Sequence, residues 1–246
     1  MKKSILICIS LACACSCACQ KDLIEYGHGD LTIYVEQGEN WLHDFPLFPG
    51  IKLKNPPQIA IWIEDMQGKY LSTAYATHKV GTQSWQFNGG NPRKEALPHW
   101  QFSRAKNDID GITGATPRGG LNIKPLADGI TGATPRGSFD VKLRPANMLK
   151  QFVIKIELNH STDFNDYYAK SAKEGEPNYS GGKEGSGQPA IVYAAKVDLS
   201  SGATVFEAVI IGHSSPAGNS GNIDADMSKL TTALHIVKRI TVNIQQ

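Results

Sequence analysis

The stretch Gln58-Ile-Ala-Ile-Trp-Ile63 is apolar from its second residue onward and contains three isoleucines and a tryptophan. A short apolar run of this kind predicts a buried strand. The next residues, Asp65-Met-Gln-Gly68, predict a turn, and Tyr70-Leu-Ser-Thr-Ala74 predicts a second strand. We therefore expect a β-hairpin at this point of the chain.

Strand patterns continue on both sides of this hairpin, with turn residues between them. We predict strands at 31–35, 139–143, 151–158, 190–194, 203–211 and 240–244. Helix signals are scarce, and one or two turns are expected within 226–234. About eight strands separated by turn residues predict an all-β fold, namely an antiparallel immunoglobulin-like β-sandwich with long loops. We expect residues 31–246 to form this sandwich as a single domain.

Several connections are predicted to lack regular structure. Residues 38–57 are interrupted by Pro and Gly, and the residues around Trp85, Pro98, His99 and Trp100 show no clear period. Residues 171–188 are rich in Gly, Ser, Lys and Glu, which predicts a mobile surface loop. Residues 212–226 predict a second polar loop.

One decapeptide, Asp-Gly-Ile-Thr-Gly-Ala-Thr-Pro-Arg-Gly, occurs twice, at 110–119 and at 128–137. The residues between the copies do not resemble those before the first copy. A structural repeat would spread similarity over its whole period, because each unit packs on the next. We therefore interpret 110–137 as a doubled site, while a pair of Gly/Thr/Pro surface turns is the simpler alternative.

Each copy presents two hydroxyl groups and two charges. The hydroxyls belong to Thr113 and Thr116 in the first copy and to Thr131 and Thr134 in the second. The small residues between them leave the backbone open to a partner's cleft. The proline that follows favours an extended conformation for the second threonine. A threonine hydroxyl is a weak nucleophile, so its activation would have to come from another enzyme.

The two heptapeptides resemble the flavinylation motif Asp-x-x-(Ser/Thr)-Gly-Ala-Thr. That motif occurs in the C subunit of sodium-translocating NADH:quinone reductase, where an FAD:protein FMN transferase links FMN to the last threonine by a phosphoester bond. The resemblance implies FMN on Thr116 and on Thr134. The positions that match the motif or flank it with a cation are Asp110, Thr113, Gly114, Ala115 and Arg118 in the first copy, and Asp128, Thr131, Gly132, Ala133 and Arg136 in the second.

The rest of the chain is similar to an extracytosolic family that is associated with the same modification, the domain-of-unknown-function family twenty-two seventy-one. The residues that carry this similarity are the strand with Trp62, Leu97-Pro-His-Trp100, Asn159-His-Ser161, Gly187-Gln-Pro189 and Leu230-Thr-Thr-Ala233. The resemblance implies a redox carrier of the cell envelope that is a substrate of the transferase and not itself an enzyme.

The N-terminus predicts an exported, lipid-anchored protein. Met1-Lys-Lys3 and the apolar residues after it form a leader that is too short for a mature membrane span. All five cysteines lie in this region, at 8, 13, 15, 17 and 19. We predict a lipoprotein signal peptide over 1–18, lipidation of Cys19 and a tether over 19–30, with Cys13, Cys15 and Cys17 as alternative lipidation sites.

Charge excludes a nucleic-acid partner from the prediction. The leader removes two of the 25 basic residues, which leaves 23 against 23 acidic residues. A neutral chain lacks the basic surface of a nucleic-acid-binding protein. We expect the protein to be attached to the membrane through its lipid. We expect its partners to be the FAD:protein FMN transferase and redox proteins of the membrane or envelope. The alternative function is a non-redox surface lipoprotein that binds a glycan or a protein.

Four further features suggest weaker sites. The scattered histidines have no zinc-binding spacing, so no metal site is predicted. Asp163-Phe-Asn-Asp166 could surround calcium, although a capped turn fits it better. His213 beside Ser214 resembles a hydrolase pair only superficially. Trp85 and Trp100 could stack on a flavin ring or pack in the core, and Arg118 and Arg136 could neutralise a phosphodiester or lie in solvent.

Overall fold

The structure is a computed structural model that describes residues 23–25, 31–48, 50–82, 93–108, 130–132, 134–143 and 149–244. The predicted signal peptide, Cys19, Trp85 and the whole first copy of the decapeptide lie outside the described residues.

The described part of the chain is mostly β-structure. Its fourteen strands are β1 (Leu23–Glu25), β2 (Leu31–Gln37), β3 (His43–Phe48), β4 (Ile51–Asn55), β5 (Gln58–Glu64), β6 (Tyr70–Thr77), β7 (Ile130–Gly132), β8 (Phe139–Leu143), β9 (Gln151–Asn159), β10 (Ile191–Asp198), β11 (Val205–Glu207), β12 (Val209–Ser214), β13 (Ile223–Asp224) and β14 (Val237–Ile244). Two helices, α1 (His78–Thr82) and α2 (Pro98–Asp108), and two 3₁₀ turns, Gly182–Glu184 and Thr232–His235, complete it. The all-β prediction is confirmed.

The strands form two larger sheets and one hairpin. The first sheet has the order β1-β8-β2-β14-β11, the second has the order β13-β12-β10-β9-β5-β6-β7, and β3 pairs with β4 alone. Neighbouring strands are antiparallel except for two parallel pairs, β1 with β8 and β6 with β7. The strand β1 lies inside the stretch that the sequence predicts to be a tether.

The main hydrophobic core contains side chains from both sheets. Strands β2 and β8 alternate between buried and half-buried residues, because successive side chains of a strand point to opposite faces. Ile33 of β2 and Ile61 of β5 belong to this core, and the rings of Tyr75 and Phe139 join the two sheets at a centroid distance of 5.7 Å. Every residue of β5 is buried, as the sequence predicts.

A second, smaller core lies on the other face of the seven-stranded sheet. It contains Ala60 and Trp62 of β5 together with Leu97 and Trp100 at the start of α2. The helix α2 therefore covers this face of the sheet, and it explains why β5 is buried on both sides.

The helix α2 contradicts the prediction of irregular structure around Pro98. Proline is well tolerated in the first turn of a helix, where its missing N–H costs nothing. The buried face of the helix is Trp100, Gln101 and Arg104, which has helical spacing. Two of these three side chains are polar, so the apolar period that marks a buried helix is not visible in the sequence. No helix in the described ranges is long and apolar enough to cross a membrane.

The strand pairing corrects one predicted connection and one predicted strand. Residues 38–57 contain the hairpin of β3 and β4, whose turn includes Gly50 at φ +83°. The single strand predicted at 203–211 is divided at Ala208, whose N–H donates to the Ile240 carbonyl at 3.0 Å. Because β11 pairs with β14 and β12 pairs with β10, the chain passes from one sheet to the other at this residue.

The Gly-rich loop at 171–188 is predicted to be mobile, but its final residues are buried between other segments. Ser186 and Gln188 are each 1% exposed. The Asp163 N–H donates to the Ser186 carbonyl, and the Gln188 N–H donates to the Asp163 carbonyl, both at 2.8 Å. Between them, Gly187 has φ +78°, and a Cβ atom placed there would lie 2.3 Å from the Asp163 carbonyl carbon.

We predict that Gly187→Ala destabilises the protein far more than Gly202→Ala. Both glycines have a left-handed φ, which costs an alanine about 1–2 kcal/mol, but a Cβ at Gly202 would meet nothing within 4 Å. Denaturant unfolding should show a loss of about 1 kcal/mol for Gly202→Ala and of roughly 3 kcal/mol or more for Gly187→Ala. Equal losses of unfolding free energy would show that the backbone around Asp163 can shift to admit the new Cβ atom without destabilising the protein.

Candidate functional site

The structure describes only part of the second copy of the decapeptide. Asp110, Thr113, Gly114, Ala115, Thr116 and Arg118 of the first copy lie outside the described residues, as do Asp128 and Ala133 of the second. The backbone of Ile130–Gly132 is described as strand β7, and residues 134–137 follow it.

The second copy begins as an edge strand of the seven-stranded sheet. Thr131 lies opposite Ala76 and Gly132 opposite Thr77 in parallel pairing with β6. The chain then leaves this sheet and enters the other one at Phe139. Half-buried Thr134 lies on this crossover. The alternative of plain surface turns therefore does not describe Ile130–Gly132, which is a paired strand.

The residues after Thr134 are held by two hydrogen bonds to neighbouring segments. The indole Nε1 of Trp41, a side chain that is 2% exposed, donates to the Pro135 carbonyl at 3.1 Å. The guanidinium Nη1 of Arg136 donates to the Lys54 carbonyl at 3.2 Å, at the end of β4. The crossover is therefore fixed directly after Thr134.

The described residues fit a phosphoester at Thr134. The threonine is half-buried where the chain leaves the edge of a sheet, and the exposed Arg136 follows two residues later. A guanidinium has five N–H donors, and one of them binds Lys54. The others could bind phosphate oxygens in two-point contacts.

Trp100 does not contribute to this site. It is 1% exposed, its Nε1 donates to the Thr73 hydroxyl at 2.9 Å, and the Arg104 guanidinium lies 5.0 Å from the centre of its ring. Of the two alternatives for Trp100, core packing is confirmed and stacking on a flavin ring is wrong. Trp85 lies outside the described residues.

A buried carboxylate, which the sequence did not single out, holds the start of α2. Glu157 is 0% exposed, and its two carboxylate oxygens accept the backbone N–H groups of His99 at 3.2 Å and of Trp100 at 2.8 Å. These N–H groups have no partner inside the helix, and a negative charge is favourable at a helix N-terminus. Glu157 therefore caps a helix that is distant in sequence.

Burial raises the pKa of Glu157 to about 7, although the hydrogen bonds from Trp100, Ser214 and His99 and the charge of Lys155 act in the opposite direction. Desolvation dominates because an ionised carboxylate loses its hydration beneath the helix. The group changes charge near neutral pH.

A polar cluster lies beside this cap on the same face of the sheet. The Lys155 ammonium lies 3.0 Å from the Glu64 carboxylate and 3.0 Å from His99 Nε2. Glu64 also accepts the Trp62 indole N–H at 2.8 Å. Alternation along 151–158 does point Lys155 and Glu157 away from the main core, but a strand of this kind normally presents such residues to water. The sequence contained no sign that α2 covers them.

A third polar network joins the loops near the Trp41 end of the fold. The Asp163 carboxylate, 3% exposed, accepts the Thr232 hydroxyl at 2.6 Å, and His43 Nδ1 lies 3.7 Å from it. Burial raises the pKa of Asp163, against the Thr232 hydrogen bond and the nearby His43. Burial also lowers the pKa of His160 to about 4. The contacts of Asp163 with Thr232 and His43 hold neighbouring loops together, and the Asp163 carboxylate points into the protein.

Side-chain contacts decide two further candidate sites, the turn at 163–166 and the pair of His213 and Ser214. The Asn165 side chain accepts the N–H groups of Tyr167 at 3.1 Å and Tyr168 at 2.8 Å, so the capped turn expected for 163–166 is confirmed. His213 Nδ1 bonds the Ser214 carbonyl, while the Ser214 hydroxyl bonds Glu157 and lies 3.4 Å from the Ala190 carbonyl oxygen. The two side chains therefore do not form a nucleophile–base pair.

We predict that Glu157→Gln changes how stability depends on pH. The folded protein holds the Glu157 proton to a higher pH than the unfolded chain does, so this group lowers stability as pH rises from 4.5 to about 7. That loss amounts to about 3 kcal/mol. Glutamine does not titrate, but it leaves one helix N–H without an acceptor, which costs about 1–3 kcal/mol at every pH.

Urea unfolding between pH 4.5 and 8 would measure both effects, with exposed Glu207→Gln as the control. The difference between wild type and Glu157→Gln should shrink or reverse as pH rises. A difference that stays constant across this range would contradict the assigned titration.

Segments that carry the family resemblance are hydrogen-bonded to one another or to residues directly beside them. The Asn159 side-chain amide donates to the Ala96 carbonyl at 2.9 Å and to the Ser186 hydroxyl at 2.9 Å, and Gln188 accepts the Thr231 N–H at 2.6 Å. Comparison of the chain with protein-family models, with curated proteins and with solved structures gave no match. The family resemblance therefore stays a prediction.

Proposed function

We propose that this protein is an electron carrier of the bacterial cell envelope, with FMN attached covalently to Thr116 and Thr134. It would be anchored through lipidated Cys19 and would exchange electrons with membrane or envelope redox proteins. The observation that carries the proposal is the exact doubling of a decapeptide that contains Asp-x-x-Thr-Gly-Ala-Thr. Turn chemistry alone does not require the same ten residues twice.

The surroundings of Thr134 support the proposal. An acceptor threonine must enter the cleft of another enzyme, and Thr134 lies half-buried on a crossover at the edge of a sheet. The exposed Arg136 provides a cation two residues away. The hydrogen bond from Trp41 to the Pro135 carbonyl keeps this part of the chain in one place.

The attachment step is a phosphoryl transfer from FAD. The threonine Oγ would form a bond to the phosphorus of the FMN half, the pyrophosphate P–O bond would break, and AMP would leave. The hydroxyl proton would pass to a base of the transferase, whose magnesium would stabilise the charge on the phosphates. Attached FMN would supply the redox chemistry, while the protein supplies placement and solvent exposure.

We also propose an immunoglobulin-like relationship for the scaffold. It is supported by two sheets that share one core and by mostly antiparallel pairing. Such a scaffold presents variable loops at its ends, which is where a modified segment could be accommodated without disturbing the core.

A binding module without a redox role is the second candidate. It is favoured by the outer face of β4, where Ile51 is 57% exposed and Leu53 is 50% exposed on the same side of the strand. Exposed apolar side chains on one face can mark a contact surface for a protein or a glycan. This candidate predicts colourless protein even when the transferase and FAD are supplied.

We predict that Thr116→Ala and Thr134→Ala each remove one FMN equivalent from protein that is co-expressed with the transferase. The substitution removes the attacking oxygen. Intact-mass spectrometry and the flavin absorbance bands would count the groups. Thr134→Ser is the matched control, since it keeps a hydroxyl and should keep the flavin.

The outcomes separate the hypotheses. Full flavin in the double alanine variant would show that the acceptor residues are misassigned. Wild-type protein that carries lipid but no flavin, from its native host as well as from co-expression, would favour the binding module.

A further inference from the structure

We propose that the cavity beside α2 is a binding site for a small organic monocarboxylate, with Lys155 and Lys69 as its cationic groups. The cavity lining includes none of the described residues of the decapeptide, and the proposal does not depend on the proposed flavin attachment. The cavity has a volume of about 380 Å³, which is within the range of small-molecule sites. It lies between the β5–β6 turn, α2 and β9.

The floor of the cavity is a built polar arrangement. Glu64 is 2% exposed, and it accepts the Trp62 indole N–H on one oxygen and the Lys155 ammonium on the other. The Lys155 side chain keeps 16% of its surface exposed. Because two of its three N–H donors are directed to Glu64 and His99, one donor remains for a ligand in the cavity.

The hydrogen bonds of His99 determine its tautomer and its charge. Its Nδ1 lies 2.6 Å from the Gly221 carbonyl oxygen, which can only accept, so Nδ1 carries the proton. Its Nε2 then accepts a hydrogen bond from the Lys155 ammonium at 3.0 Å. His99 is therefore neutral in this arrangement, and it directs the ammonium group without adding charge.

The charge of the cavity favours an anion with a single negative charge. Among the described residues that line it, Lys155 is offset by Glu64, and the exposed Lys69 contributes one further positive charge. Asp65 does not line the cavity, and its carboxylate accepts the N–H groups of Gln67 at 2.9 Å and Lys69 at 2.8 Å. A monocarboxylate would balance the lining, whereas a doubly charged phosphate would leave negative charge in a partly enclosed space.

The remaining walls favour a ligand with an apolar body. The Phe102 side chain forms one wall, and Gly68 and Gly221 expose backbone without a side chain. Gly221 packs so closely on Phe102 that a Cβ atom there would lie 2.4 Å from the Phe102 Cβ. A flat or short hydrocarbon group could lie against this wall while its carboxylate meets the two lysines.

Isothermal titration calorimetry of the full-length protein in detergent would test the site, with sodium benzoate and sodium butyrate as probes. We expect saturable binding of at least one probe and no comparable binding of inorganic phosphate at matched ionic strength. Lys69→Met should weaken binding by several-fold, because it removes a charge that is exposed and not needed for folding.

Lys155→Met alone would leave Glu64 buried without its partner, so the pair is replaced together. Glu64→Gln/Lys155→Met keeps the floor neutral and should weaken binding by about tenfold or more. Exposed Lys196→Met on β10 is the control and should bind as wild type does. Absence of saturable binding by both probes, equal binding of phosphate, or unchanged affinity in both the Lys69 and the Glu64/Lys155 variants would each overturn the proposal.

Discussion

The contact between the Glu157 carboxylate and the first N–H groups of α2 determines how one whole face of the seven-stranded sheet is used. A carboxylate in the middle of a buried strand is costly unless its oxygens are occupied. Here the helix occupies them, and the strand in return satisfies the helix end. With α2 held in place, β5 is covered on both faces and a polar cavity forms at the margin of the helix.

This arrangement separates two kinds of chemistry in one small protein. In the proposed function, the threonine motif is modified at half-buried Thr134, where the chain leaves the edge of a sheet. The cluster of Glu64, Lys155 and His99 depends on enclosure, where three polar groups fix each other's direction. The threonine motif needs little from the fold beyond a fixed backbone. The polar cluster exists only because strands distant in sequence are brought together under a helix.

The limits of sequence prediction follow from the same contrast. Strands such as β2 and β8 were predictable because one face is buried in the core and the other is only half-buried. The helix α2 was not, because Gln101 and Arg104 lie on its buried side and its cap comes from Glu157. The crossing at Ala208 was hidden because changing sheets leaves no break in an apolar run. The doubled decapeptide was visible because identity between two segments needs no knowledge of the fold.

The crossover that contains Thr134 also limits how far anything attached there can travel. Gly132 is paired with Thr77 on one side, and the Pro135 carbonyl is bonded to Trp41 on the other. A chain extends by at most about 3.6 Å per residue, so the α-carbon of Thr134 can move only a few ångströms while both contacts hold. If FMN is attached to Thr134 as proposed, it is therefore not carried on a swinging arm, and a redox partner would have to dock close to the sheet edge.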